Sequence, residues 1–133
     1  MPDGTEPITD DELLYRRIPV SKRWYDAQGL SPEAFDPLET DTTGISVSRA
    51  KYKSLEEAAK GLSKHGYYVA VFRAGDLRQG GIQVVPRPRP DDPGHAELPD
   101  LTYDRRRTPE AEERKLRLTE SYLRVEGPFH KMK

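Results

Sequence analysis

The stretch Ser54-Leu-Glu-Glu-Ala-Ala-Lys-Gly-Leu-Ser-Lys-His-Gly-Tyr-Tyr-Val-Ala-Val-Phe72 joins a helix signal to a strand signal, and its reading decides the fold class. Ser54 with Glu57 has the capping-box form, in which a hydroxyl and a carboxylate satisfy backbone N–H groups at a helix start. Leu55, Ala58, Ala59 and Leu62 then fall on one face of a helix over 54–62. Gly61 and Gly66 bracket its end. Tyr67–Phe72 is apolar at every position, so the segment is covered on both sides and reads as a central strand.

Working outward, Gly44-Ile-Ser-Val-Ser48 alternates apolar and small polar residues, as a half-buried strand does. Leu13–Ile18 reads as a further strand, against the alternative of a short helix opened by the box Thr9-Asp-Asp-Glu12. Ser31-Pro32-Glu33 starts a short helix, with Ser as cap and Pro at the first position. On the other side, Asp76–Gln79 can form one helical turn closed by Gly80-Gly81. Ile82–Val85 is a strand ended by Pro86, and Ala96–Leu101 is an edge strand, because Pro99 lacks the N–H a central position requires. Thr108-Pro109-Glu110 opens a last helix whose apolar stripe is Leu116, Thr119 and Leu123, widened by Leu118 and Tyr122 and ended by Gly127-Pro128. The expectation is an α+β fold: a small mixed or antiparallel sheet of about four to five strands with two or three helices packed on it. Residues 1–8 read as a flexible leader, 9–126 as a single domain and 127–133 as a flexible tail.

The 133 residues carry 22 basic and 23 acidic side chains and no cysteine. A near-neutral balance disfavours a duplex DNA binder, which needs a basic excess to neutralise phosphates. Without cysteine there are no disulfides and no thiolate metal ligands, and the expected location is cytoplasmic. No apolar run approaches the roughly 20 residues of a membrane span, so no membrane partner is expected.

The proline-rich loop Pro86-Arg-Pro-Arg-Pro-Asp-Asp-Pro-Gly94 delivers His95 and Glu97 at a defined place. Two residues apart in a strand, they share a face. They suit an acid–base pair or two metal ligands, or they form a plain surface pair. Zinc wants about four ligands, and neither His65 nor His130 has ligand-like spacing to His95, so no metal is expected. Arg16 and Arg17 point to opposite sides of their strand, so one of them must face inward or lie at a cleft. A planar guanidinium there suits a phosphate or carboxylate, or a structural ion pair. Ser46 and Ser48 share a face but sit in no nucleophile elbow, leaving a Ser–His–acid triad supported by residue types alone. No nucleotide-binding glycine motif is present. Arg105-Arg-Arg107 reads as a solvated charge cluster, with RNA contact as an alternative.

The run Leu14-Tyr-Arg-Arg-Ile-Pro19, with Ser31–Phe35, Ile45-Ser-Val47 and Pro93-Gly-His-Ala96, resembles small uncharacterised bacterial proteins with a tyrosine–arginine opening, a serine strand and a late His-Ala step. That resemblance covers most of 13–101 and implies only a stand-alone domain. A second resemblance is to the ADP-ribosyltransferase fold, which orders an Arg, a Ser-containing strand and a late Glu; Arg16 or Arg17, Ser46 or Ser48, and Glu97 match in that order. It implies that the Arg holds a pyrophosphate of NAD, the serine strand shapes the nicotinamide pocket and Glu97 orients a ribose hydroxyl. Ser-Val-Ser stands where that family has Ser-Thr-Ser, and the Arg-to-Ser spacing is short. The leading functional expectation is a small accessory protein binding a partner protein or small ligand, with no cofactor. For a protein partner, an exposed patch with Trp24, Tyr25 or Phe35 is expected. The second expectation is an NAD-using transferase or toxin domain, and the third an RNA-contacting protein.

Overall fold

The computed structural model describes residues 3–130; residues 1–2 of the expected leader and 131–133 of the expected tail lie outside the described residues. The elements run β1 (Leu13–Pro19), a small hairpin of β2 (Tyr25–Asp26) and β3 (Gly29–Leu30), a 3₁₀ turn (Pro32–Phe35) and β4 (Ile45–Arg49). They continue through α1 (Leu55–Ala58), β5 (Tyr67–Arg73), α2 (Ala74–Gln79), β6 (Val85–Pro86) and β7 (His95–Leu98). A second 3₁₀ turn (Tyr103–Arg105), α3 (Pro109–Ser121) and β8 (Arg124–Phe129) complete the chain. The class is α+β. The main sheet has six strands in the order β6-β7-β4-β1-β5-β8, and its pairings are antiparallel. No helix among the described residues is long and apolar enough to cross a membrane.

The sheet is larger than the expected four to five strands because the last strand was not expected. Arg124–Phe129 adds β8 to the outside of β5 where a helix end and tail were expected. The strand expected at 82–85 narrows to Val85–Pro86, since Ile82 and Val84 are buried without joining a ladder. That short piece takes the edge, so β7 is not an edge strand; it stops at Leu98 and leaves Pro99 outside.

The central stretch is right in type and wrong in length. Tyr67–Arg73 is a strand paired on both sides. The capping box forms, with Ser54 Oγ accepting from Glu57 N at 3.1 Å and Glu57 Oε1 accepting from Ser54 N at 3.1 Å. The helix then stops at Ala58, and Leu62 is 94% exposed instead of packed. Beyond the C-cap Ala59, the Arg17 guanidinium donates to the Lys60 carbonyl and lies over the Tyr67 ring.

The main core lies on one face of the sheet, where Leu14, Ile18, Ile45, Val47, Ala70, Phe72, Ala96 and Leu98 meet Phe35, Leu77 and Leu118. Phe35 is fully buried, edge-on to Phe72 at 6.0 Å, so it belongs to no exposed patch; Trp24 and Tyr25 are half-buried against the same core. In α3 the buried stripe is Ala111, Lys115 and the expected Leu118, while Leu116 and, beyond the helix end, Leu123 are exposed. Lys115 is accommodated there by Asp36 at 2.6 Å and Glu112 at 2.7 Å.

The segment before β1 is held by Arg49, Arg78 and Tyr52; Arg78 donates to the Ile8 carbonyl at 2.6 Å and to Asp10 at 2.7 Å, and Tyr52 donates to Glu6 at 2.6 Å. Arg49 is fully buried, grips the Glu12 carboxylate at 2.6 and 2.9 Å, and donates to the carbonyls of Gly4 and Glu6 at 3.1 Å each. Ile8 joins the core. Residues 3–8 are thus tied to the sheet, in contrast to the loose leader expected there.

Candidate functional site

A cleft of about 650 Å³ opens among β1, β4, β7, α1 and the loop after Phe35, bordered by Ser46, Ser48, His95 and Glu97 from one face of the sheet and by Val47, Trp24 and Ala34 from the core side. Its origin is a divergence of strands. β1 pairs with β5 from Leu13↔Arg73 to Pro19↔Tyr67, but with β4 only at Leu14↔Arg49 and Tyr15↔Ser48. Beyond that point β1 and β4 separate. The Arg16 side chain fills the gap, its Nη1 donating to the Ser46 carbonyl at 2.8 Å.

The register of β4 with β7 sets Ser46 opposite Glu97 and Ser48 opposite His95, all on one face. Ser46 Oγ lies 3.0 Å from His95 Nε2, a diagonal cross-strand contact. His95 Nδ1 lies 2.9 Å from the Arg87 carbonyl oxygen. A carbonyl can only accept, so Nδ1 carries the hydrogen. In the neutral ring Nε2 is then free to accept the Ser46 O–H; the tautomer is assigned from these partners. His95 is buried, while Ser46 is half-buried and lines the cleft.

Glu97 shares the face with His95 as the spacing requires, but the two do not form the expected acid–base pair. Glu97 Oε1 accepts from Thr43 Oγ1 at 2.7 Å and lies 3.4 Å from Arg87 Nε. The group that orients His95 is a backbone carbonyl, which no residue-type pattern could reveal. Among the described residues no cluster of His, Cys, Asp and Glu has the form of a metal site.

The two arginines divide the work as their opposite directions demand. Arg17 is exposed and holds the end of α1. Arg16 is half-buried; burial lowers its guanidinium from the ordinary value, with the Asp41 charge opposing that effect and Arg17 adding to it. It stays protonated all the same. Its Nε is buried and has no hydrogen-bond partner in the protein.

A second ion pair was missed by sequence reasoning. The loop 87–94 folds back at Arg89 and Asp92, whose backbones exchange hydrogen bonds at 3.0 and 2.9 Å. Asp92 Oδ2 accepts from Lys53 Nζ at 2.9 Å, and Lys53 also approaches Ser48 Oγ at 3.5 Å. Asp92 Oδ1 is buried without a partner. The acidic centre of the proline-rich loop was the available signal.

Arg16, Arg17, Ser46, Ser48, His95 and Glu97 therefore all line one cleft, joined there by Lys53, Asp92, Arg89 and Trp24. The Arg105–Arg107 cluster is not among its lining residues; Arg106 stacks on Tyr103 at 3.7 Å. Comparison with family models, curated proteins and solved structures finds no match to this chain.

Proposed function

We propose that the protein binds a small polar ligand in this cleft, one that carries an anionic group and a hydrogen-bond donor. A single observation carries the reading: among the described residues, the buried side-chain polar atoms without a partner are Arg16 Nε and Asp92 Oδ1, and both residues line the cleft. Leaving a buried donor or acceptor unpaired is unfavourable by about 1–3 kcal/mol each. Such atoms take a water, an ion or a ligand as partner. A carboxylate or phosphate oxygen would satisfy Arg16, and an O–H or N–H would satisfy Asp92. The cleft volume of about 650 Å³ is within the range of small-molecule sites.

A second reading, NAD-dependent ADP-ribosyl transfer, is favoured by one observation: Arg16, Ser46, Ser48 and Glu97, the residues that resemble that family's set, all border this cleft. On this reading Arg16 binds the pyrophosphate and Glu97 the ribose.

The test is thermal denaturation of the full chain with NAD, ADP, inorganic phosphate and L-glutamate. A ligand at about 100 times its Kd stabilises the native state by roughly 2.7 kcal/mol. For a domain of this size that is a rise of about 5–15 °C. The expected result is such a rise with at least one probe, reduced in Arg16→Lys and Asp92→Asn. Four probes that all leave the midpoint within about 1 °C would overturn the reading. So would a rise that both substitutions leave intact. A rise with NAD accompanied by nicotinamide release selects the second reading.

A further inference from the structure

We infer that Ser46 is a nucleophile activated by His95, and that the cleft carries out acyl transfer from a small ester to water. The identity of the substrate rests on the preceding reading of the cleft. The nucleophile itself stands on separate geometry.

The arrangement has the parts such chemistry needs. A hydroxyl becomes a useful nucleophile when an adjacent base takes its proton, and the base must be held in the right tautomer by a third group. Ser46 Oγ is 3.0 Å from His95 Nε2, within hydrogen-bond reach, and His95 Nδ1 is held at 2.9 Å by the Arg87 carbonyl. That carbonyl is itself fixed, because the Arg87 N–H donates to the His95 carbonyl at 3.0 Å, closing the hairpin between β6 and β7. The imidazole is buried against solvent on the sheet side, and the serine opens into the cleft. A Ser–His bond serving only the packing of two strands would not need to border a cleft of this size. The neighbouring Ser48 is the built-in contrast: it has the same strand and face, but its polar neighbour is Lys53 at 3.5 Å, which supplies no base in its charged form.

The step balances with water as the only co-reactant. Ser46 Oγ attacks the ester carbonyl carbon while its proton passes to His95 Nε2. The carbon–oxygen bond to the alcohol breaks, and the alcohol leaves with the proton from His95. Water then attacks the Ser46 ester, giving one proton to His95, which returns it to Ser46 Oγ as the carboxylic acid departs. Negative charge develops on the carbonyl oxygen in each half. The Arg16 guanidinium, which donates to the backbone carbonyl of Ser46 at 2.8 Å, places a positive charge beside that strand.

The experiment uses the full chain and an alkyl fluorophosphonate, which phosphonylates activated serines with loss of fluoride. Intact mass and peptide mass spectrometry are expected to show one adduct, on Ser46. It is lost in Ser46→Ala, kept in Ser48→Ala, and formed about 10²–10⁴ times more slowly in His95→Gln, the span of general-base assistance. A second pair of variants covers the case in which His95→Gln does not fold. The chain has no cysteine, so Ser46→Cys and Ser48→Cys each place a single thiol. At pH 6, Ser46→Cys is expected to react with iodoacetamide at least about tenfold faster than Ser48→Cys, because a base at hydrogen-bond distance favours the thiolate. Label scattered over other residues, an unchanged rate in folded His95→Gln, or equal rates for the two thiols would each overturn the inference. Ligand-induced stabilisation without Ser46 reactivity would overturn the nucleophile alone. Ser46 reactivity without stabilisation by any probe would overturn the ligand reading alone.

Discussion

Replacing Glu12 by Gln tests the buried centre that holds the N-terminal segment. The Arg49 side chain is 0% exposed and Glu12 is 6% exposed, so neither charge is solvated when its partner is removed. The amide keeps the shape of the carboxylate but turns an N–H₂ group toward a guanidinium that can only donate. Breaking a buried pair in this way is destabilising by about 3–5 kcal/mol. Glu6, 27% exposed and 3.2 Å from Arg49, softens the loss by supplying a second negative charge. Lys51, at 3.6 Å from Glu12 and 44% exposed, contributes less than about 1 kcal/mol. The lower end, about 3 kcal/mol, is therefore expected, or a fall of roughly 10–15 °C in melting temperature for a domain of this size. Calorimetry or circular dichroism at pH 7 measures it. The double variant Arg49→Met/Glu12→Gln is expected to be more stable than Glu12→Gln alone, since it removes the stranded charge. A Glu12→Gln protein melting within about 2 °C of the parent would refute the reasoning.

Other outcomes follow from single contacts. Glu6 is held below its ordinary value of 4.5, first by the hydrogen bond from Tyr52 and then by Arg49 and Lys51. Its contribution is thus present above pH 4.5 and lost as the pH falls through the lower folded value. The urea midpoint of the parent should exceed that of Tyr52→Phe at pH 6, and the gap should shrink at pH 3; a gap independent of pH refutes the assignment. Lys115→Met should be tolerated better than Lys115→Ala by about 2 kcal/mol in denaturant unfolding, because Met refills the volume and leaves Asp36 and Glu112 partly solvated. Gly44→Ala should destabilise by at least about 1–3 kcal/mol, since φ is +137° and a Cβ would meet the Leu98 carbonyl oxygen at 2.5 Å. Leu62→Ser should change stability by less than about 0.5 kcal/mol, the side chain being 94% exposed.

Much of the fold is written in local patterns. The two-sided run Tyr67–Phe72, the alternating Ile45–Ser48 and the Leu13–Ile18 segment all form strands. The Ser–Pro and Thr–Pro starts cap the elements expected of them. What escaped the reading depends on long-range partners. Leu62 completes a helical face in sequence, yet the helix closes at Ala58, and past its end the Lys60 carbonyl accepts from Arg17 across the chain. Arg124–Phe129 has charges and Gly-Pro, and becomes a strand because β5 offers it an edge. Lys115 lies on the buried stripe of α3 only because Asp36 waits across the gap. Arg49 was more accessible: it continues the phase of Ile45 and Val47, so a core-facing arginine demanding carboxylates was implied by the strand itself. In the site, the residues of the expected set all border one cleft, since strand alternation aligns Ser46, Ser48, His95 and Glu97. The orienting role of the Arg87 carbonyl depends on the path of a proline-rich loop and leaves no mark in side-chain identities.

The brief meeting of β1 and β4 has a mechanical consequence. The sheet behaves as two leaves, β6-β7-β4 and β1-β5-β8, stitched at Leu14↔Arg49 and Tyr15↔Ser48, with the Arg16 side chain as a latch further along. The latch does for the Ser46 carbonyl what a neighbouring strand's amide would otherwise do. On the proposed ligand reading, a molecule bound in the cleft would touch both leaves, and the expected sign is slower amide exchange along the stitch. The stitch also ends at Arg49, the residue that clasps the start of the chain.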